Sequence, residues 1–228
     1  MAGFVGFPLL LGVGVTDTPP PVQLLAWVPV GLVLGVVSPL VTGNVPSRPY
    51  NVRLVDALHR QSTERVVLRR LRRRDADAFL ATIDEVVVTT NGWEEGAREE
   101  VAQGLRVWGH GRIVDEVLIT DRRSRAVIGS MSIQQIDEEA RTCELGWNLG
   151  PEWRGRGYGT EAVRLAVQAL HGAGIREIRV GTNADNLAVQ RVVEKLGARP
   201  LDNTQHVLPN GTTIESLWYA FHPLVGSP

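Results

Sequence analysis

The sequence predicts a mixed α/β fold with a largely antiparallel central sheet flanked by helices. Three observations predict it. From Thr63 onward, short β-branched runs alternate with longer runs of helical periodicity. Three strand-like segments follow one another in the middle of the chain, with no helical pattern between them. A glycine-rich loop stands where a strand hands over to a helix.

Each element has its own signal. Residues 65–71 (RVVLRRL) are short and β-branched, which predicts a strand. Asp75 is placed to cap a helix running to about Thr82. Residues 93–108 predict a second helix, with Ala97, Val101, Leu105 and Trp108 on one face. Residues 113–120 and 126–134 predict two strands around a turn at 121–124, and 142–149 (TCELGWNL) a third. Residues 160–170 are strongly helical and stop at Gly172 and Gly174. A strand at 177–182 and a helix at 187–196, stopped by Gly197, come next. Two last strands, at about 199–207 and 212–221, flank the turn signal Pro209-Asn210-Gly211.

Composition narrows the function. Of the 228 residues, 43% are hydrophobic and 21% charged, which is ordinary for a soluble globular protein. A net charge of −1 gives no general reason to bind nucleic acid. The one cysteine, Cys143, excludes an internal disulfide and a Cys-rich zinc site. It suits a reducing, cytoplasmic setting. The five histidines show no metal-ligand spacing, so no metal is expected.

The charge is unevenly placed. Residues 18–47 carry none, and the first 62 residues carry only Asp17, Arg48, Arg53, Asp56 and Arg60. The chain therefore divides into an apolar extension, 1–62, and a charged domain, 63–228. Residues 22–42 are long enough to cross a bilayer. Pro29, Gly31, Gly35 and Pro39 interrupt them, and no basic residue precedes them to set orientation. Membrane contact through 22–42 is thus the weaker reading beside a packed or dimer-forming arm and a poorly ordered extension. A misassigned start belongs to the last, since the next methionine is Met131.

The most informative stretch is residues 151–160, PEWRGRGYGT. Gly155, Gly157 and Gly159 let backbone N–H groups converge without obstruction by Cβ atoms. The next helix turns its free N–H groups and positive dipole end toward them. Such a loop binds phosphate or pyrophosphate, and Arg154 and Arg156 add positive charge. Neither a dinucleotide GxGxxG turn nor a Walker loop fits.

Residues 154–159, RGRGYG, resemble the phosphate loop of the GCN5-related N-acetyltransferases, the GNAT superfamily. Residues 144–154 (ELGWNLGPEWR) and 186–197 (NLAVQRVVEKLG) resemble its ribosomal-protein N-terminal acetyltransferase branch. Thr63-Glu64-Arg65, Leu68-Arg69 and Asp75 match the start of that family domain. The resemblance covers 63–221. It implies a GNAT-like acyl-CoA N-acyltransferase fold that uses acetyl-CoA as co-substrate. The coenzyme pyrophosphate then falls to Arg154, Gly155, Arg156, Gly157, Tyr158, Gly159 and Thr160. A backbone N–H at Trp147, Asn148 or Leu149 polarises the acetyl carbonyl, and Asn186 caps its helix or holds the pantetheine arm. The acceptor is a primary amine, on a protein N-terminus or a small molecule. The family often forms homodimers.

Acetyl transfer to an amine needs a neutral amine, so a base helps. By strand alternation Cys143, Leu145 and Trp147 share one face, and Glu144, Gly146 and Asn148 the other. The first set reads as core, which makes Cys143 an inert thiol. The second reads as a cleft wall, and the family places its common base near Glu144. Base, ammonium ligand and structural carboxylate all stay open for Glu144. Two positions depart from the family pattern. Val189 stands where the branch often has a proton-donating Ser, and Ala198 where an aromatic is usual. A catalytically weak acyl-CoA sensor is therefore the alternative. The cluster Arg69, Arg70, Arg72, Arg73 and Arg74 reads as a solvated strand end or a docking patch. Trp93, Glu94 and Glu95 read as a helix start or an acceptor-groove border.

Overall fold

A computed structural model describes residues 50–93, 96–99, 101 and 116–223. The extension before residue 50, most of the helix expected at 93–108 and Glu94 and Glu95 lie outside the described residues.

The chain enters through a helix, α1 (Tyr50–Leu58). Its Leu54, Val55 and Leu58 form one apolar stripe, 0–4% exposed, inside the main core. Asp56 on that helix pairs with Arg70 of β1 (Val66–Arg70). Packing therefore begins upstream of Thr63, where the charge pattern set the boundary. The few charges of residues 50–62 belong to an amphipathic helix, which a charge count alone cannot distinguish from an apolar tail.

After β1 comes a 3-10 turn (Arg73–Asp75) and a short helix, α2 (Ala76–Leu80). Asp75 does not cap α2. Its carboxylate instead accepts from the Arg72 N–H at 3.0 Å and from both terminal nitrogens of Arg69. The Arg-rich cluster is thus partly held within the fold. A second short helix, α3 (Glu85–Thr90), was not expected, because its VVVTT run favours a strand. Asp84 starts it by accepting from the Val87 N–H at 3.2 Å.

The sheet follows, with β2 (Glu116–Asp121), β3 (Val127–Asp137) and β4 (Thr142–Leu149). Then come α4 (Tyr158–Gly172), β5 (Glu177–Asn183) and α5 (Leu187–Lys195). The expected strand at 199–207 is two pieces, β6 (Arg199–Pro200) and β7 (Thr204–Val207), both on β8 (Thr213–Phe221). Strand order is β1-β2-β3-β4-β5-β8-β6. All pairs are antiparallel except β4 with β5. That one parallel pair follows from α4, which returns the chain across the sheet.

The sheet is covered on both faces. Helices α1, α4 and α5 contribute to the core that holds Cys143, Leu145 and Trp147 of β4. Leu71, Phe79, Ile83 and Val87 pack against Leu118 in a second cluster. Gly129 of β3 permits the closest strand approach. A Cβ there would meet the Asn148 carbonyl oxygen at 2.1 Å. Among the described residues no helix is long and apolar enough to cross a membrane.

Candidate active site

Strand β4 alternates as expected. Cys143, Leu145, Trp147 and Leu149 face the main core. Burial, with help from the Glu144 charge, pushes the Cys143 thiol up to about 12, which makes it a poor nucleophile. Glu144, Gly146 and Asn148 face the other way. Asn148 is 1% exposed and its side chain is fully engaged. Its Oδ1 accepts from Ser130 at 2.6 Å, and its Nδ2 donates to the Thr82 carbonyl and hydroxyl at 3.1 Å. Only the backbone of Trp147, Asn148 and Leu149 is left to serve a ligand.

The β4–β5 ladder is short. It joins Thr142 to Glu177, Cys143 to Ile178 and Glu144 to Arg179, and no rung follows. Strand β4 runs on to Leu149 and β5 to Asn183, each paired only on its far side. The facing edges beyond Glu144 thus keep backbone groups available to a third, extended partner. Thr182, on the core face of β5, is 2% exposed, and its Oγ1 has no hydrogen-bond partner among the described residues. A buried hydroxyl without a partner fits an amide-bearing arm threaded between the strands.

At the end of β4 stands the glycine loop. Gly155 and Gly157 have φ of 70° and 86°, where side chains are strained. Gly157 is the N-cap of α4, and no side chain caps that helix. The first-turn N–H groups at Tyr158, Gly159 and Thr160 are therefore open to an anion. A cradle of this kind fits a pyrophosphate.

The two loop arginines differ. Arg154 is committed: Nε donates to the Leu149 carbonyl at 2.8 Å, and both terminal nitrogens bind Asp84. It pins the loop to β4 and α3, where a free phosphate-binding charge was expected. Arg156 is exposed, lies over the Trp153 ring at 5.6 Å and donates to the Glu152 carbonyl at 3.3 Å.

A third arginine enters from the bend just before β1. Arg65 Nη1 donates to the Arg156 carbonyl at 3.1 Å, and Nε donates to Glu161 at 2.7 Å. Its guanidinium stands 4.8 Å from the centre of the Tyr158 ring. Burial alone would raise the Glu161 carboxyl, but hydrogen bonds from Arg65 and Thr63 bring it below its usual range. Tyr158 itself is buried, and its hydroxyl donates to Asp121 at 3.1 Å.

Asn186 caps α5 by accepting from the Val189 N–H at 3.4 Å. Val189 is 1% exposed and belongs to the core, so that position offers no proton donor.

Glu144 is half-buried, with Gln134 opposite on β3 and Arg179 opposite on β5. Burial raises its carboxyl above the usual range, and Arg179 opposes that rise. A carboxylate of this kind suits a base working nearer neutrality. Asp84, Arg179 and Thr182 carry no local sequence signal, and Arg65 carries only a match to the start of the family domain, with no role at the loop. Arg65 and Asp84 lie 91 and 70 residues from their loop partners, so only the tertiary fold reveals them. Among the described residues no group of three or more His, Cys, Asp or Glu could hold a metal ion.

A split sheet with an open glycine cradle at the end of β4 offers a site for an extended, anionic ligand. The family model for the acetyltransferase (GNAT) domain matches residues 65–199, and the chain belongs to that family. It is an acetyl-CoA-dependent N-acetyltransferase.

Solved structures agree on the fold. A GNAT-family acetyltransferase from Bacillus anthracis aligns with a TM-score of 0.61 at 20% identity, over 71% of this chain and 96% of that one. A GCN5-related N-acetyltransferase from Brucella melitensis gives 0.60 at 21%, over 71% and 77%. The ribosomal-protein-S5-alanine acetyltransferase from Vibrio fischeri gives 0.54 at 16%, over 73% and 98%. No curated protein matches the chain in sequence.

Proposed function

We propose that the chain acetylates a primary amine within a direct ternary complex, with Glu144 as general base. The acceptor belongs to a protein N-terminus or to a small molecule. One observation carries this reading: Glu144 is half-buried at the last rung before the β4–β5 ladder stops.

Acetyl-CoA supplies the activated acetyl thioester. The backbone of Gly155, Arg156, Gly157, Tyr158, Gly159 and Thr160 would hold its pyrophosphate, with Arg154 and Arg65 fixing the loop. Thr182 and Asn186 line the path of its arm. A backbone N–H at Trp147, Asn148 or Leu149 would polarise the carbonyl. Glu144 takes the proton that the acceptor ammonium must lose. The amine nitrogen then bonds to the carbonyl carbon as the carbon–sulfur bond breaks. Water takes the second proton, which the nitrogen sheds as the amide forms, and, since Val189 cannot donate, the departing thiolate takes its proton from water.

A second reading is a weak acyl-CoA sensor, favoured by the buried Val189. Thiol release, measured across a panel of amines and peptides, separates the two. Release with any acceptor removes the sensor, and none with all of them removes the transferase.

The catalytic unit in this reading starts with α1, and the chain before residue 50 is an appendage. A cytoplasmic setting is supported by the single buried thiol. A homodimer belongs to the same reading by family resemblance.

A further inference from the structure

The sheet face that carries Glu144 also carries a cation in the next strand. Glu144 and Arg179 are partners in the last rung of the β4–β5 ladder. Partnered residues point to the same face, and neighbouring strands lie about 4.8 Å apart. With Gln134, the partner of Glu144 on β3, an amide, a carboxylate and a guanidinium stand in one row.

This is the acceptor side. Helix α4, which begins at the coenzyme cradle, packs on the opposite face with Cys143 and Trp147. An amine that reaches the split from the Glu144 face meets the carboxylate and the guanidinium together.

Arg179 is set up to receive an anion. Its Nε donates to Glu177 at 2.5 Å, and its side chain is 48% exposed. The two terminal nitrogens have no hydrogen-bond partner among the described residues. Glu177 therefore fixes one end of the fork and leaves the other free. Toward the split, the Trp218 ring covers Gly181, where a Cβ would come within 2.9 Å of it. The indole Nε1 is tied to Thr204 at 2.8 Å. A flat wall thus borders the row and favours a small acceptor.

We propose that the acceptor is a small zwitterion, a free α-amino acid or a close analogue. Glu144 takes the proton of its ammonium, as in the reading above, and Arg179 pairs with its carboxylate. This rests on the amine-acetylating reading above and narrows it. In an α-amino acid one carbon separates the two charged groups, so both reach groups on adjacent strands. A guanidinium binds a carboxylate through charge-assisted hydrogen bonds, about twice as strong as neutral ones. A peptide N-terminus offers only an amide carbonyl at that place. A diamine would bring a second cation against Arg179.

The test uses the full chain with saturating acetyl-CoA. Acceptors are free α-amino acids, their carboxamides, and peptides that begin with the same residues. For the best amino acid, kcat/KM should exceed that of its carboxamide at least tenfold, mostly through KM. Arg179→Gln should bring the ratio near one, and Arg179→Lys should keep part of it. Thermal midpoint and acetyl-CoA affinity check each variant's fold, and the Lys variant serves if the Gln variant does not fold. Equal use of carboxamides or peptides by the wild type overturns the assignment. So does a ratio that survives Arg179→Gln. Absence of thiol release with every amine is a different result, which sinks the transfer reading itself.

Discussion

Arg154 and Asp84 form a two-point ion pair across seventy residues of chain, with oxygen–nitrogen distances of 2.7 and 2.8 Å. The same guanidinium holds the Leu149 carbonyl at the end of β4, and the same carboxylate caps α3. One pair thus fixes the glycine loop to both β4 and α3. The guanidinium holds the Asp84 carboxyl below its usual range, more than burial raises it.

Breaking that pair should loosen the loop. Arg154→Gln should weaken acetyl-CoA binding about tenfold and cost about 1–3 kcal/mol of stability. Since the folded Asp84 is the stronger acid, its contribution is present above the ordinary value of 3.8 and lost as pH falls through the folded one. Denaturant titration from pH 7 down to pH 2 should therefore show the wild type losing its advantage over Asp84→Asn at the acid end. A constant difference would mean that the pair is not what stabilises.

Gly157 should not tolerate a side chain. Its φ of 86° disfavours any L residue, and a Cβ would stand 3.1 Å from Arg65 Nη2. Gly157→Val should abolish measurable acetyl-CoA binding in calorimetry while the protein stays folded. Near-normal affinity would move the phosphate site elsewhere.

Arg65 and Glu161 should show opposed effects on the coenzyme. Glu161 places a negative charge in the first turn of α4, beside the anion cradle, and Arg65 neutralises it. Arg65→Gln should weaken acetyl-CoA about tenfold, more at low salt. Adding Glu161→Gln should recover most of that loss. A double variant as weak as the single one would show that Arg65 acts in another way.

Glu144→Gln should keep coenzyme affinity and lower turnover by about 10²–10⁴-fold. The rate limb that belongs to the carboxylate should vanish from the pH profile. Stability should move in the other direction. The folded carboxyl is the weaker acid, so its effect on wild-type stability is lost as pH rises from the ordinary 4.5 through the folded value. The Gln variant should therefore gain on the wild type over that interval. A raised KM with kcat intact would instead make Glu144 an ammonium ligand.

Helix α1 should be necessary to the fold. Leu58→Ala should cost about 2–5 kcal/mol, as for other buried leucines. A chain starting at residue 50 should fold, and one starting at Thr63 should not. Equal thermal midpoints for the two would show that the packing of α1 contributes nothing.

Strands β1, β4, β5 and β8 were legible because period-two patterns and turn residues bound them. The glycine loop was legible because Gly, Gly and Gly between a strand and a helix have few other uses. Helix α1 was hidden because its stripe of Leu54, Val55 and Leu58 continues an apolar, charge-poor stretch. Helix α3 was hidden because β-branched residues argued against it, and the Asp84 cap and tertiary packing decided otherwise. Glu144 was readable from strand parity. Its neighbour Arg179 was not, because the pairing of β4 with β5 is a long-range fact. Arg154 was read as a phosphate charge because its counter-ion lies in a distant helix cap.

The single thiol of this chain has a practical consequence. Cys143 is 1% exposed and held up to about 12. A thiol-specific chromogenic reagent added to the native enzyme should stay colourless, so every equivalent that reacts during turnover is released coenzyme. Under denaturant the same reagent should titrate one further equivalent per chain, because the sequence has only this cysteine. A single dye thus reads acetyl transfer in buffer and global opening of the sheet in urea.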